Sequence, residues 1–149
     1  MTGILVAIHL LAAAVWVGGS TALVFVGVPA IRVLEGEPRG RAMRELGLRW
    51  RPLGYGALLV AAVTGVVLAA REWQHSTEFQ VVFWTKAVLF VCLVVVSYLH
   101  NYVYGPRLQR EIRDGKPERT RPTLVAVGWT SLALTLTVPV LGAVLAELA

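Results

Sequence analysis

Two ionisable residues stand inside runs of sequence that are otherwise apolar enough to cross a membrane: His9 within residues 3–31 and Lys86 within residues 80–104. An ionisable side chain in hydrocarbon costs roughly 2.5 kcal/mol or more on insertion scales, so it is kept mainly where it faces a partner, water or a ligand. A neutral imidazole ligates haem iron or copper and can shuttle protons between its two nitrogens. A lysine ammonium binds an anionic group such as a porphyrin propionate, or becomes a base when it is desolvated. Two plainer roles compete with these. His9 would hydrogen-bond to a neighbouring hydroxyl or carbonyl, and Lys86 would reach up to the outer headgroups.

The remaining candidates are weaker. His100 stands among Tyr98, Asn101, Tyr102 and Tyr104, a grouping that reads as an interfacial aromatic belt. His75 belongs to the short outer loop beside Trp73, where it would add a metal ligand over a His9 cavity or be a solvated loop histidine. Trp50, Trp73 and Trp84 read as boundary anchors by position. Cys92 is the one cysteine, so it forms no internal disulfide, and it reads as a small thiol packed between helices.

These residues must be positioned by helices. Of 149 residues, 56% are hydrophobic and 15% charged, which excludes an ordinary soluble domain. Apolar stretches at 3–31, 52–70, 80–104 and 122–148 each reach the roughly 17–25 residues that a helix needs to cross about 30 Å of hydrocarbon. The expected fold is all-α, a single domain over residues 1–149 forming an integral membrane antiparallel four-helix bundle. The first stretch has no basic residue ahead of it and exceeds the apolar core of a secretory signal, so it reads as a retained helix.

Charge sets the orientation. The segment 32–51 holds six arginines, and 107–121 holds five plus Lys116, whereas Arg71 is the only basic residue other than His75 between the second and third spans. The basic loops are expected to be cytoplasmic, so that both termini are extracytoplasmic in a cell inner (plasma) membrane. The net charge of +5 then describes loops facing a lipid bilayer with anionic headgroups, and no nucleic-acid surface. Residues 41–50 in the first loop carry Met43, Leu46 and Leu48 and are expected to include a short interfacial helix. In the second loop, Asp114-Gly115-Lys116-Pro117 reads as a turn.

Spacing predicts which faces meet. Ala14, Gly18 and Ala22 recur every four residues in the first span, as do Ala57, Ala61, Gly65 and Ala69 in the second, and such stripes permit close backbone approach. Pro139 is expected to kink the fourth span or free a carbonyl there. Lys86, Phe90, Leu93, Ser97 and His100 follow steps of four, three, four and three along one seam. His9 and Trp16 share a face of the first span. At 1.5 Å per residue, His9 and Lys86 each lie roughly 9 Å below the outer boundary, whereas His100 lies roughly 30 Å along its helix. If both seams face inward, His9 and Lys86 line an outer cavity with Trp16 and Ser97 deeper in, and one ligand does not easily join His9 to His100.

His9, Trp16, Gly18-Gly19, Pro29, Arg49-Trp50, Thr64-Gly65, Lys86 and Pro106-Arg107 occur in the order seen in the copper resistance D (CopD) membrane domain, which the chain resembles from Ile8 to about Arg107. That resemblance implies a part in copper homeostasis, with a copper ion held by His9 and His75. The two methionines, Met1 and Met43, supply no methionine-rich copper site. The chain is also similar to HemJ-like protoporphyrinogen oxidases in its first-span histidine and tryptophan, its third-span lysine, and Tyr98 with His100. This second resemblance implies haem b with His9 as axial ligand, and Lys86 serving a propionate or the second axial position. The Pro-Arg-Leu of that family is replaced here by Val26-Gly27-Val28-Pro29 and Arg32. A third role, needing neither metal nor enzyme activity, is an accessory subunit; the small-residue stripes suit a homo-oligomer or a larger membrane complex equally well.

Overall fold

A computed structural model describes residues 2–71, 73–74 and 76–148. Four helices make up the fold: α1 (Thr2–Arg32), α2 (Gly36–Arg71), α3 (Thr77–Arg113) and α4 (Arg121–Leu148). Each is long and apolar enough to cross a membrane, and among the described residues there is no strand. The chain is an all-α, multi-pass bundle. Its helices alternate in direction, so the two chain termini and the α2–α3 connection share one end, and the arginine-rich connections share the other.

Local chemistry sets the helix ends. Gly36 begins α2 with φ +57° and Gly115 takes φ +64° in the turn after α3, a backbone region that strains any side chain. The Ser76 hydroxyl caps α3 by accepting from the backbone N–H of Phe79 at 3.3 Å. In the turn at Asp114, hydrogen bonds from the side chains of Lys116 and Arg113, at 3.3 and 3.4 Å, hold the carboxyl below the ordinary aspartate range. Thr120 is tied back to α3 by donating from its amide and its hydroxyl to Glu111, at 3.0 and 2.6 Å.

Prolines act in two ways. Pro29 and Pro106 each follow a π-helical turn, Leu23–Gly27 in α1 and Leu99–Tyr104 in α3. A proline has no N–H and its ring crowds the carbonyl four residues back, so one extra residue in the preceding turn relieves the clash while the helix goes on. Pro52 and Pro139 lie within α2 and α4, and both helices continue through them. The expected interfacial helix is not a separate element: residues 41–50 form the first turns of α2, which begins well before Pro52.

Helix α1 packs along α2 and α3 along α4, while the two hairpins meet less extensively, with α1 against α4. At mid-depth lie Trp16, Ala57, Leu58 and Leu93, flanked by Trp50, Tyr55, Phe90 and Leu134. Between helices in lipid this layer gains from close packing, since the acyl chains are as apolar as the side chains. The α2 stripe is part of it, with Ala57 and Ala61 buried. The α1 stripe is not. Ala14, Gly18 and Ala22 are exposed, and a Cβ on Gly18 would meet nothing within 4 Å. The bulky Trp16 takes the inward face instead, and Gly19 provides the close approach, because a Cβ there would run into the Trp50 ring. Trp50 is thus a packing residue and not a boundary anchor, its ring centroid 5.9 Å from that of Trp16. Cys92 is also displaced from its expected place: it is exposed on the outer surface of α3.

Candidate functional site

The inward stripe of α1 reads His9, Ala12, Trp16, and it points the imidazole at α2. There His9 Nδ1 lies 2.8 Å from Thr64 Oγ1. The Thr64 hydroxyl has a single proton, and it donates that proton to the Val60 carbonyl at 2.6 Å, the usual way a threonine satisfies itself inside a helix. Its lone pairs therefore face the ring. With the hydroxyl donating to Val60, the matching tautomer has the proton on Nδ1 and the lone pair on Nε2. Beside Thr64, Gly65 makes room: a Cβ there would stand 3.1 Å from His9 Cε1. The threonine orients the imidazole and the glycine admits it.

Lys86 enters from α3 at the same end of the bundle. Its Nζ lies against Gly142 of α4, where a Cβ would approach to 2.9 Å. Among the described residues Lys86 has no carboxylate partner; the ion pairs lie in or near the arginine-rich connections. The site thus places an imidazole, hydrogen-bonded to Thr64, and a lysine with no carboxylate partner among the described residues in one half of the bundle, each seated on a glycine.

The rest of the α3 seam faces inward: Leu93 and Ser97 are 2% and 1% exposed. Trp16, 5% exposed, donates from Nε1 to Thr135 Oγ1 at 3.0 Å, and this layer closes the bundle beneath the His9 site. Below it a second polar cluster begins. Ser97 and Ser131 share a hydrogen bond of 2.9 Å, Asn101 Nδ2 donates to the Ser97 carbonyl at 2.9 Å and to Tyr55 OH at 3.4 Å, and Arg51 Nη2 donates to the Asn101 carbonyl in the π-helical turn. The Arg51 guanidinium also sits 4.7 Å from the centre of the Tyr102 ring.

The expected site residues divide accordingly. His9 and Lys86 come together in one half, and Trp16 forms the floor. His100 lies in the other half, its ring against Gly128 and its buried Nδ1 without a partner among the described residues. His75 lies outside the described residues. Thr64 entered the sequence reading only as part of a shared motif with Gly65, and Thr135, Ser131, Tyr55 and Arg51 gave no signal of a functional kind. Threonine and serine satisfy themselves inside helices, so their presence in a span does not say whether a second partner exists. Among the described residues no three His, Cys, Asp or Glu side chains are grouped as a metal cage would require. Comparison with known families, with characterised proteins and with solved structures gives no match for the chain.

Proposed function

We propose that this membrane protein binds a metal centre through Nε2 of His9, and that the centre is a haem of b type, which supplies most of its own ligands. The observation that carries the reading is the Val60–Thr64–His9 relay of hydrogen bonds, which would hold the imidazole in the tautomer that a metal needs. A bare copper ion asks for several soft or nitrogen donors from the protein. Here His9 is accompanied by Lys86 and Thr64, and the copper reading depends on His75 for a second imidazole. A porphyrin needs one imidazole, and its propionates match a lysine that has no carboxylate partner among the described residues.

In this assignment His9 would hold the haem iron through Nε2, Lys86 would neutralise a propionate or serve as a second iron ligand, and Thr64 would position His9. Haem so held would supply one-electron redox chemistry. The sequence resemblances to copper resistance D and HemJ-like proteins agree with a metal or haem role in a four-span unit, whether in copper homeostasis or porphyrin oxidation. By the positive-inside rule the site lies in the extracytoplasmic half of a plasma membrane.

The test is an optical titration of the purified, detergent-solubilised protein with haemin. The expected result is a one-to-one complex with a sharp Soret band that His9→Ala abolishes. Copper bound without haem, and lost with both His9→Ala and His75→Ala, would move the assignment to copper homeostasis. Retention of neither would favour an accessory subunit of a larger membrane complex.

A further inference from the structure

The glycines under the two polar residues carry a regularity. His9 rests on Gly65 and Lys86 rests on Gly142, and in both pairs the second member follows the first by the same interval, so that a shift of 77 carries His9 to Lys86 and Gly65 to Gly142. The shift also carries Pro29 to Pro106 and lays the π-helical turn Leu23–Gly27 over residues 100–104, inside the turn Leu99–Tyr104. Buried positions follow: Trp16 falls on Leu93, Leu58 on Thr135 and Ala61 on Val138, all of them inward-facing. No insertion interrupts this register on either helix. The packing has the same form, α1 on α2 and α3 on α4, with lighter contact between the hairpins.

We infer that the four helices are two copies of one hairpin related by a pseudo-twofold axis along the bundle, and that His9 and Lys86 are equivalent positions which hold a single ligand on that axis. A proline-induced extra residue at the same place in both copies is hard to obtain from independent helices, because the position of a π-helical turn depends on one particular proline. A pseudo-twofold arrangement places equivalent side chains at one level on opposite sides of the axis, as an isologous interface does between subunits. Here the two have diverged into a lone-pair donor and a cation. The ligand this suits is one with unlike ends, a Lewis-acidic centre facing His9 and an anionic group facing Lys86. This ligand class rests on the metal reading of His9; the axis rests on the register alone.

Two variants separate the axis from the haem assignment. Lys86→His would place two imidazoles on the axis, and the probe is Co²⁺ added to tag-free protein in detergent, followed by its visible absorption. If the side chains converge, Co²⁺ affinity rises on the order of a hundredfold over the wild type, the gain expected when a second tethered group joins the first. The gain should vanish when His9→Ala is added. An affinity equal to the wild type, in protein that remains monodisperse and helical, overturns the convergence of the two positions on a single ligand.

The second variant exchanges the two residues, His9→Lys with Lys86→His, and is titrated with haemin. Equivalent positions predict that the exchange retains a Soret band, whereas either single change to alanine does not. A wild type that binds haemin beside an exchange variant that does not would contradict equivalence. If the wild type itself takes up no haemin, the haem assignment fails and the Co²⁺ result alone decides the convergence.

Discussion

The indole N–H of Trp16 donates to the hydroxyl of Thr135 across 3.0 Å, joining α1 to α4 in the driest layer of the bundle. Thr135 is 1% exposed and Trp16 is 5% exposed. The pair belongs to different hairpins, so it fixes how the hairpins sit on one another and seals the His9 half from the half that holds Ser97, Asn101 and Arg51.

Replacing Thr135 with valine keeps the volume and removes the acceptor, leaving a buried indole N–H without a partner. The expected cost is about 1–3 kcal/mol of stability. Unfolding in mixed micelles should show it, with Thr135→Ser close to the wild type. Equal stability in the valine variant would mean that the hydrogen bond contributes nothing net.

The contact between Gly19 and Trp50 should be intolerant of a single methyl group. Gly19→Ala drives a Cβ into the Trp50 ring, which is itself wedged between Trp16 and Gly54, and is expected to cost roughly 1–3 kcal/mol as overpacking. Combining it with Trp50→Leu, which opens that space, should cost less than the sum of the two single changes. Strict additivity in a double-mutant cycle would refute direct contact.

Thr64 should act on the ligand through His9. Thr64→Val removes the acceptor of the Nδ1 proton and is expected to weaken haemin retention by about 10–100-fold, the usual effect of losing a group that orients a metal-bound histidine. Thr64→Ser keeps the hydroxyl and should retain most of the affinity. A valine variant with unchanged affinity and an unchanged Soret position would remove Thr64 from the site.

Orientation can be read by labelling. With Cys92 changed to alanine, single cysteines at Gln74 and Lys116 should respond oppositely to a membrane-impermeant maleimide applied to intact cells. Position 74 is expected to react and position 116 to stay protected until the cells are lysed. The reverse pattern would place the His9 half on the cytoplasmic side.

The sequence displayed the four spans and the inward seam of α3 plainly, because long apolar runs and a heptad-like spacing have few other solutions in a membrane. It displayed which residues carry charge in the spans, and hence His9 and Lys86. It did not display which small-residue face of α1 packs inward. Ala14, Gly18 and Ala22, at steps of four, line a helix face as well as Ala12, Trp16 and Gly19 do at steps of four and three, and lipid accepts either face. The internal repeat was hidden for a related reason. Apolar residues substitute freely for one another in hydrocarbon, so Trp16 and Leu93 look unrelated until their shared depth and burial are known. Arg51 read as one of several loop arginines because α2 was expected to start at Pro52. The helix begins earlier, which carries Arg51 against the π-helical turn of α3.

The central claim, that the His9 imidazole itself carries the bound centre, is tested most directly by chemical rescue. His9→Gly leaves a gap the size of the ring beside Thr64 and Gly65, and the variant is titrated with haemin in the presence and absence of millimolar imidazole. The expected result is no Soret complex without imidazole and recovery of the wild-type spectrum with it. A His9→Gly protein that binds haemin as the wild type does, with no response to imidazole, would contradict it.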